Sequence, residues 1–249
     1  MTEQVTPSVS LASLLLTMVD FQHKTNKQFI GENYIQTPPP FEDAILVETA
    51  EMFDSSQYKW WKESELDSEN IKTELIDIWH FVLSLLTSRT CRNDEDVPHY
   101  AQRFAGLHAG FFNGINIDSD AMKALIPEVN APALRHHAKV LNRRVLNRED
   151  DTTIVLAFAE CLAAAGLSFM EFYARHMVKN ALNKLRQDLG DKEGKYSRQW
   201  KALGQNPDAE EHSTKEDNYV ALELILGNNI SNFEDIYNTL KDYYVSNHG

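Results

Sequence analysis

Apolar residues recur along most of this chain at the three- and four-residue spacing of α-helices. Residues 9–30 set Leu11, Leu14, Leu15, Met18, Val19 and Phe21 on one amphipathic helix. Gly31–Phe41 contains Pro38-Pro39-Pro40, which ends that helix and imposes an extended turn. A helix over Glu42–Ser55 follows, with acidic residues in its opening turn, as the helix dipole prefers. Its core side is Ile45, Leu46, Thr49, Met52 and Phe53. The next helix, capped by Asp67 or Ser68, runs to about Ser88 and ends near Arg89 and Arg92. Ile71, Leu75, Ile78, Val82 and Leu85 make its apolar stripe, and Trp79, Phe81, Leu83 and Leu86 fill much of the remaining circumference. Such a helix is buried. Further helices are predicted near 96–111, 118–126 and 131–147, then at 152–165 and 168–189, ending near Gly166 and Gly190. Tyr219–Leu226 and Asn232–Tyr244 read as helices too. No stretch alternates convincingly as a strand, no repeat is evident, and no Gly-rich phosphate loop is present. The expected fold is all-α, a helical bundle forming a single domain over 1–249, with the polar stretch 200–216 as a flexible loop.

Composition narrows the possible partners. Lys and Arg number 24 against 37 Asp and Glu, a formal net charge of −13, which disfavours a nucleic-acid backbone as partner. A small anionic substrate stays compatible if a bound cation reverses the local field. Two cysteines, Cys91 and Cys161, are too few for a disulfide framework and suggest a reducing compartment, with the cytoplasm as default. No stretch reaches the length of a membrane span, and Leu11–Val19, preceded by Glu3 and ending at Asp20, does not read as a secretory signal.

Two carboxylate pairs interrupt the helical pattern: Glu48-Thr49-Ala50-Glu51 and Glu74-Leu75-Ile76-Asp77. Residues three apart share a helix face, and two packed helices could aim four carboxylates at one point. Glu74 and Asp77 interrupt an almost continuous apolar surface, where ionised carboxylates would repel one another unless a cation intervened. Oxygen ligands suit Mg²⁺. The pattern alone leaves a metal site and a solvated acidic face both open.

Other positions carry weaker signals. Gln22 and Asn26 share a face and offer amides able to read a nucleobase edge, although exposed amides on a helix usually signify nothing. Tyr58-Lys59-Trp60-Trp61-Lys62 is either a pair of core anchors or the wall of a pocket where a ring stacks and a phosphate meets a lysine. His80, three residues beyond Asp77, falls on the metal side of its helix. Lys179, Asn183 and Arg186 line one narrow face, either a phosphate clamp or a solvated basic stripe.

The order of these motifs resembles the dimeric all-α dUTPases, within the MazG-like all-α NTP pyrophosphatase superfamily. The matching pieces are Gln22…Asn26, Glu48-x-x-Glu51, Lys59-x-Trp61-Lys62, Glu74-x-x-Asp77-Ile78-Trp79-His80-Phe81, Lys179-Asn180-x-Leu182-Asn183-x-x-Arg186-Gln187, Gly194-x-Tyr196-x-Arg198-x-Trp200 and Glu216-Asp217-Asn218. The two acidic pairs are shared with the wider superfamily; the segments around Trp79 and Asn183 are more specific to dUTPases. The resemblance implies hydrolysis of dUTP, and of dUDP, to dUMP. It implies two or more Mg²⁺ ions, replaceable by Mn²⁺, on Glu48, Glu51, Glu74 and Asp77, with Glu48 or Glu51 deprotonating the attacking water. It further implies that Gln22 and Asn26 approach uracil, and that Trp61 and His80 meet the deoxyribose. Lys179, Asn183, Arg186, Tyr196 and Arg198 would engage phosphates, in a homodimer. The chain departs from the family pattern at Asp191, at Arg198 and in the length of the segment between Trp200 and Glu216. A MazG-like pyrophosphatase for another nucleotide and a dUTP sensor without turnover are the competing readings.

Overall fold

A computed structural model describes residues 10–115, 128–204, 213–227 and 232–248, and its backbone divides into two compact units, Met1–Phe172 and Tyr173–Gly249. The first unit holds α1 (Leu11–Phe29), α2 (Phe41–Asp54), α3 (Ser68–Thr90), α4 (Val97–His108), α5 (Ala131–Leu146) and α6 (Asp151–Ala164). It also contains the start of α7 (Phe169–Asp188). Four of these helices begin where a side-chain oxygen takes an otherwise unpartnered N–H. Ser10 accepts from Ser13 N at 3.1 Å, Asp67 from Asn70 N at 2.9 Å, Asn130 from Ala133 N at 3.1 Å and Asp150 from Thr153 N at 3.0 Å. The expected boundaries therefore hold to within a few residues. The helix near 96–111 is shorter, its last part being a 3₁₀ turn at Ala109–Ile115, and the helix expected at 118–126 lies outside the described residues.

The apolar circumference of α3 makes it the central element of this unit. It packs along α2 and also meets α1, α4 and α6, while α5 pairs with α6. Trp79, wholly buried, stacks on Phe158 at 4.6 Å between ring centroids and is edged by Phe172, Phe112 and Phe104 at 5.6–6.4 Å. Offset-stacked and edge-on pairs of this kind add to the stabilisation from area burial. The loop from α2 to α3 is pinned at its base by a bridge between Ser56 and Leu66.

In the second unit α7 ends at Gly190, whose φ of +79° is left-handed and whose added Cβ would lie 3.1–3.3 Å from Glu193 and Lys195 atoms. Glycine serves there as the helix stop. An antiparallel pair follows, β1 (Gln199–Lys201) with β2 (Thr214–Glu216), in the register Trp200↔Lys215, and then α8 (Asp217–Gly227) and α9 (Phe233–His248). Trp200 is fully buried against Tyr243 and Tyr244. The two strands occupy the ends of the flexible loop expected over 200–216, of which 205–212 lie outside the described residues. Three residues with a single apolar side chain are too short to show alternation. Among the described residues no single helix is long and apolar enough to cross a membrane.

Candidate functional site

Packing α2 along α3 brings Glu48, Glu74 and Asp77 together. Each offers a carboxylate oxygen, and these oxygens all lie within 4.8 Å of one another. Glu74 is buried, while Glu48 and Asp77 are half-buried at the margin of the apolar surface. Burial pushes the Glu48 carboxyl up to about 8, and the neighbouring charges of Asp77, Glu74 and Glu51 push the same way. His80, also buried, holds Nδ1 3.8 Å from Asp77 Oδ1. Glu51, one turn further along α2, is exposed and stands outside this three-residue cluster, although its charge reaches Glu48. The donor set is all oxygen and crowded enough to hold a proton at neutral pH. That composition fits a hard divalent cation such as Mg²⁺ or Mn²⁺. Cys91 and Cys161, the softer ligands, are free and buried outside the cluster.

Gln22 and Asn26 are not surface amides. They are 5% and 4% exposed on the inner face of α1. Gln22 Nε2 donates to Asn26 Oδ1 at 2.9 Å, and both amides donate to Ser84 Oγ on α3, from Asn26 Nδ2 at 2.8 Å and Gln22 Nε2 at 3.2 Å. Buried amides at this spacing are consistent with a polar site rather than an incidental exposed pair.

The tryptophans of the α2–α3 loop are the reverse case. Trp60 is 90% and Trp61 60% exposed, edge-to-face at 5.5 Å, so the core-anchor alternative is wrong for both. Within the loop it is Tyr58 that packs beside Phe53, at 6.3 Å between ring centroids. Trp61, with Lys59 and Lys62, lines a shallow recess in the loop, and the Lys59 ammonium is held 2.7 Å from Asp54.

In the second unit Asn183, Arg186 and Tyr196 gather around Asp217, a residue at the start of α8 that is 1% exposed. Arg186 grips it with both arms, Nε to Oδ2 at 2.8 Å and Nη2 to Oδ1 at 2.6 Å, and Tyr196 donates its hydroxyl to Oδ2 at 2.8 Å. Asn183 Oδ1 accepts from Arg186 Nη1 at 3.3 Å. Burial works against the guanidinium charge, but the Asp217 carboxylate outweighs it and keeps Arg186 protonated; burial, then Asp217, holds the Tyr196 phenol protonated. Nothing in the helical spacing of Asp217 separates it from an ordinary capping aspartate; the Glu216-Asp217-Asn218 motif is the signal the sequence offers for it. Lys179 is half-buried on α7. Arg198 accepts the Asp217 backbone N–H on its carbonyl oxygen at 2.8 Å, while its side chain pairs with Asp191, Nη2 to Oδ2 at 2.5 Å, so two departures from the family pattern meet each other.

A family model described as dUTPase matches residues 14–190. No curated protein matches the chain.

Proposed function

The chain belongs to the all-α dUTPase family and is a dUTP diphosphatase, and from that premise we propose that its hydrolysis of dUTP to dUMP and pyrophosphate depends on Mg²⁺ held by Glu48, Glu74 and Asp77. The observation that carries this reading is the crowding of three carboxylates within 4.8 Å, with Glu48 pushed up to about 8. Such a cluster costs folding energy unless a cation neutralises it. Two or more ions are proposed, with Mn²⁺ as an effective replacement. When bound, the ions supply charge neutralisation on phosphate oxygens and acidify a water.

The protein's own residues supply the rest. Glu51, exposed beside the cluster, completes the acidic set, and either it or Glu48 orients the attacking water and accepts its proton. Gln22 and Asn26 approach the uracil, a role their burial supports. Trp61 and His80 pack on the deoxyribose. Lys179, Asn183, Arg186, Tyr196 and Arg198 engage the phosphates, with Asp217 holding the Arg186 guanidinium in place. We further propose that dUDP is a substrate, that the 249 residues act as one catalytic domain and that the protein works as a homodimer without a nucleic-acid partner. The free, buried cysteines support a reducing, cytoplasmic setting.

The test compares pyrophosphate release from dUTP, dCTP, dTTP and UTP, with Mg²⁺ and with chelator. Release from dUTP alone, abolished by chelator, is expected. Equal rates on all four would refute the uracil reading; full activity in chelator would refute the metal.

A further inference from the structure

The outer edge of β1 is closed by two side chains that no step above uses. We infer that Tyr243 and Tyr244, consecutive on α9, are positioning residues: by holding that edge they fix where the Arg198 guanidinium meets the phosphates. This rests on the proposed phosphate role of Arg198.

Following the backbone groups of residues 197–202 gives the argument. Arg198 O accepts from Asp217 N at 2.8 Å, Ala202 N donates to Ser213 O at 3.0 Å, and Trp200 between them pairs with Lys215. These alternate residues turn their backbone groups towards β2, so Ser197, Gln199 and Lys201 turn theirs to the opposite edge. Among the described residues β2 is the only strand beside β1, and an edge of this kind needs other partners. Side chains supply them. Ser197 N donates to the Tyr244 hydroxyl oxygen at 3.0 Å, and the Tyr243 hydroxyl donates to Lys201 O at 2.7 Å. Between these two, Ser197 Oγ donates to Gln199 O at 3.1 Å and accepts from Gln199 N at 3.3 Å.

The rings fasten the same stretch. Tyr244 lies nearly parallel to Tyr196, at 4.8 Å between centroids and 16° between planes. Trp200, fully buried, meets Tyr243 at 5.8 Å and Tyr244 at 5.7 Å. The two hydroxyls therefore bracket Ser197 to Lys201, and Arg198 stands inside the bracket. Its side chain is 59% exposed and pairs with Asp191, outside the bracketed stretch. A long side chain so largely in solvent takes its reach from the backbone that carries it. A displacement of about 1 Å at that backbone is enough to weaken a contact with a bound group. The hydroxyls of Tyr243 and Tyr244 oppose such a displacement from the side that β2 leaves open.

The experiment measures kcat and KM for dUTP and the inhibition constant of inorganic pyrophosphate, which carries no base or sugar and so reports the phosphate contacts alone. Tyr243→Phe and Tyr244→Phe are made singly and together, each with Arg198 intact and with Arg198→Ala. Phe keeps the ring contacts and removes only the hydroxyls, so circular dichroism should show the helices retained. With Arg198 intact, the double change should raise KM and the pyrophosphate constant about fivefold and leave kcat unchanged. With Arg198→Ala it should add nothing further, because the tyrosines act through that side chain. Equal effects on both backgrounds would make them supports of the fold only and overturn the positioning role. So would unchanged constants in the double variant where Arg198→Ala alone raises them. If Arg198→Ala itself leaves both constants unchanged, the phosphate reading of Arg198 is wrong and the positioning role falls with it.

Discussion

Replacing Glu48 by Gln should do opposite things to stability and to catalysis. The unfolded carboxyl titrates near 4.5 and the native one near 8, so between these values the folded protein binds the extra proton. The stability Glu48 contributes is therefore fully present below about pH 4.5 and is lost as pH rises through about 8. Gln cannot ionise and keeps it. Without screening the difference amounts to roughly 5 kcal/mol, at about 1.36 kcal/mol per pH unit. Because Glu48 is only half-buried, solvent reduces this, and about 1–2 kcal/mol is expected. Urea unfolding in chelator should show the two proteins alike near pH 4.5 and Glu48→Gln more stable near pH 9. Excess Mg²⁺ should reverse the order, since binding to the native state stabilises only the protein with its full ligand set. Release of pyrophosphate from dUTP by the variant should drop by at least about 10²-fold. A variant no more stable than its parent at about pH 9 without metal would refute the crowded-carboxylate account.

Four further outcomes follow from the geometry. Asp217→Ala should cost about 3–5 kcal/mol in urea unfolding followed by Trp200 fluorescence, because it leaves the Arg186 charge buried and unpaired; a cost below about 1 kcal/mol would contradict the pairing. Trp61→Ala should change stability by no more than about 0.5 kcal/mol, given its exposure, while raising KM for dUTP. Trp79→Ala, in contrast, should cost about 3–5 kcal/mol, measured by the same unfolding assay, since it empties the centre of an aromatic cluster. Calorimetric titration with Mg²⁺ near neutral pH should release protons, detected as a dependence on buffer ionisation enthalpy, because Glu48 must ionise to coordinate.

Helix identity was a local matter, and the sequence by itself determined it. The spacing of Ile71, Leu75, Ile78, Val82 and Leu85, the cap at Asp67 and the stop at Gly190 act over one or two turns, so α3 and α7 were legible with their faces. The same periodicity set Glu74 beside Asp77 and Gln22 beside Asn26. It could not say which side chains of different helices meet. The packing of α2 along α3 admitted Glu48 to the cluster and left Glu51 outside. Similarly, Ser84 closed over two amides that looked like surface residues, and Trp60 and Trp61 on the α2–α3 loop stand exposed where core anchors were the commoner expectation. Asp217 became the anchor of Arg186 and Tyr196 only because α8 starts beside α7, 31 residues away from Arg186 in the chain. Periodicity along one helix fixes direction about its own axis; separation between helices depends on the side chains packed between them, and those distances decide what the polar groups can do.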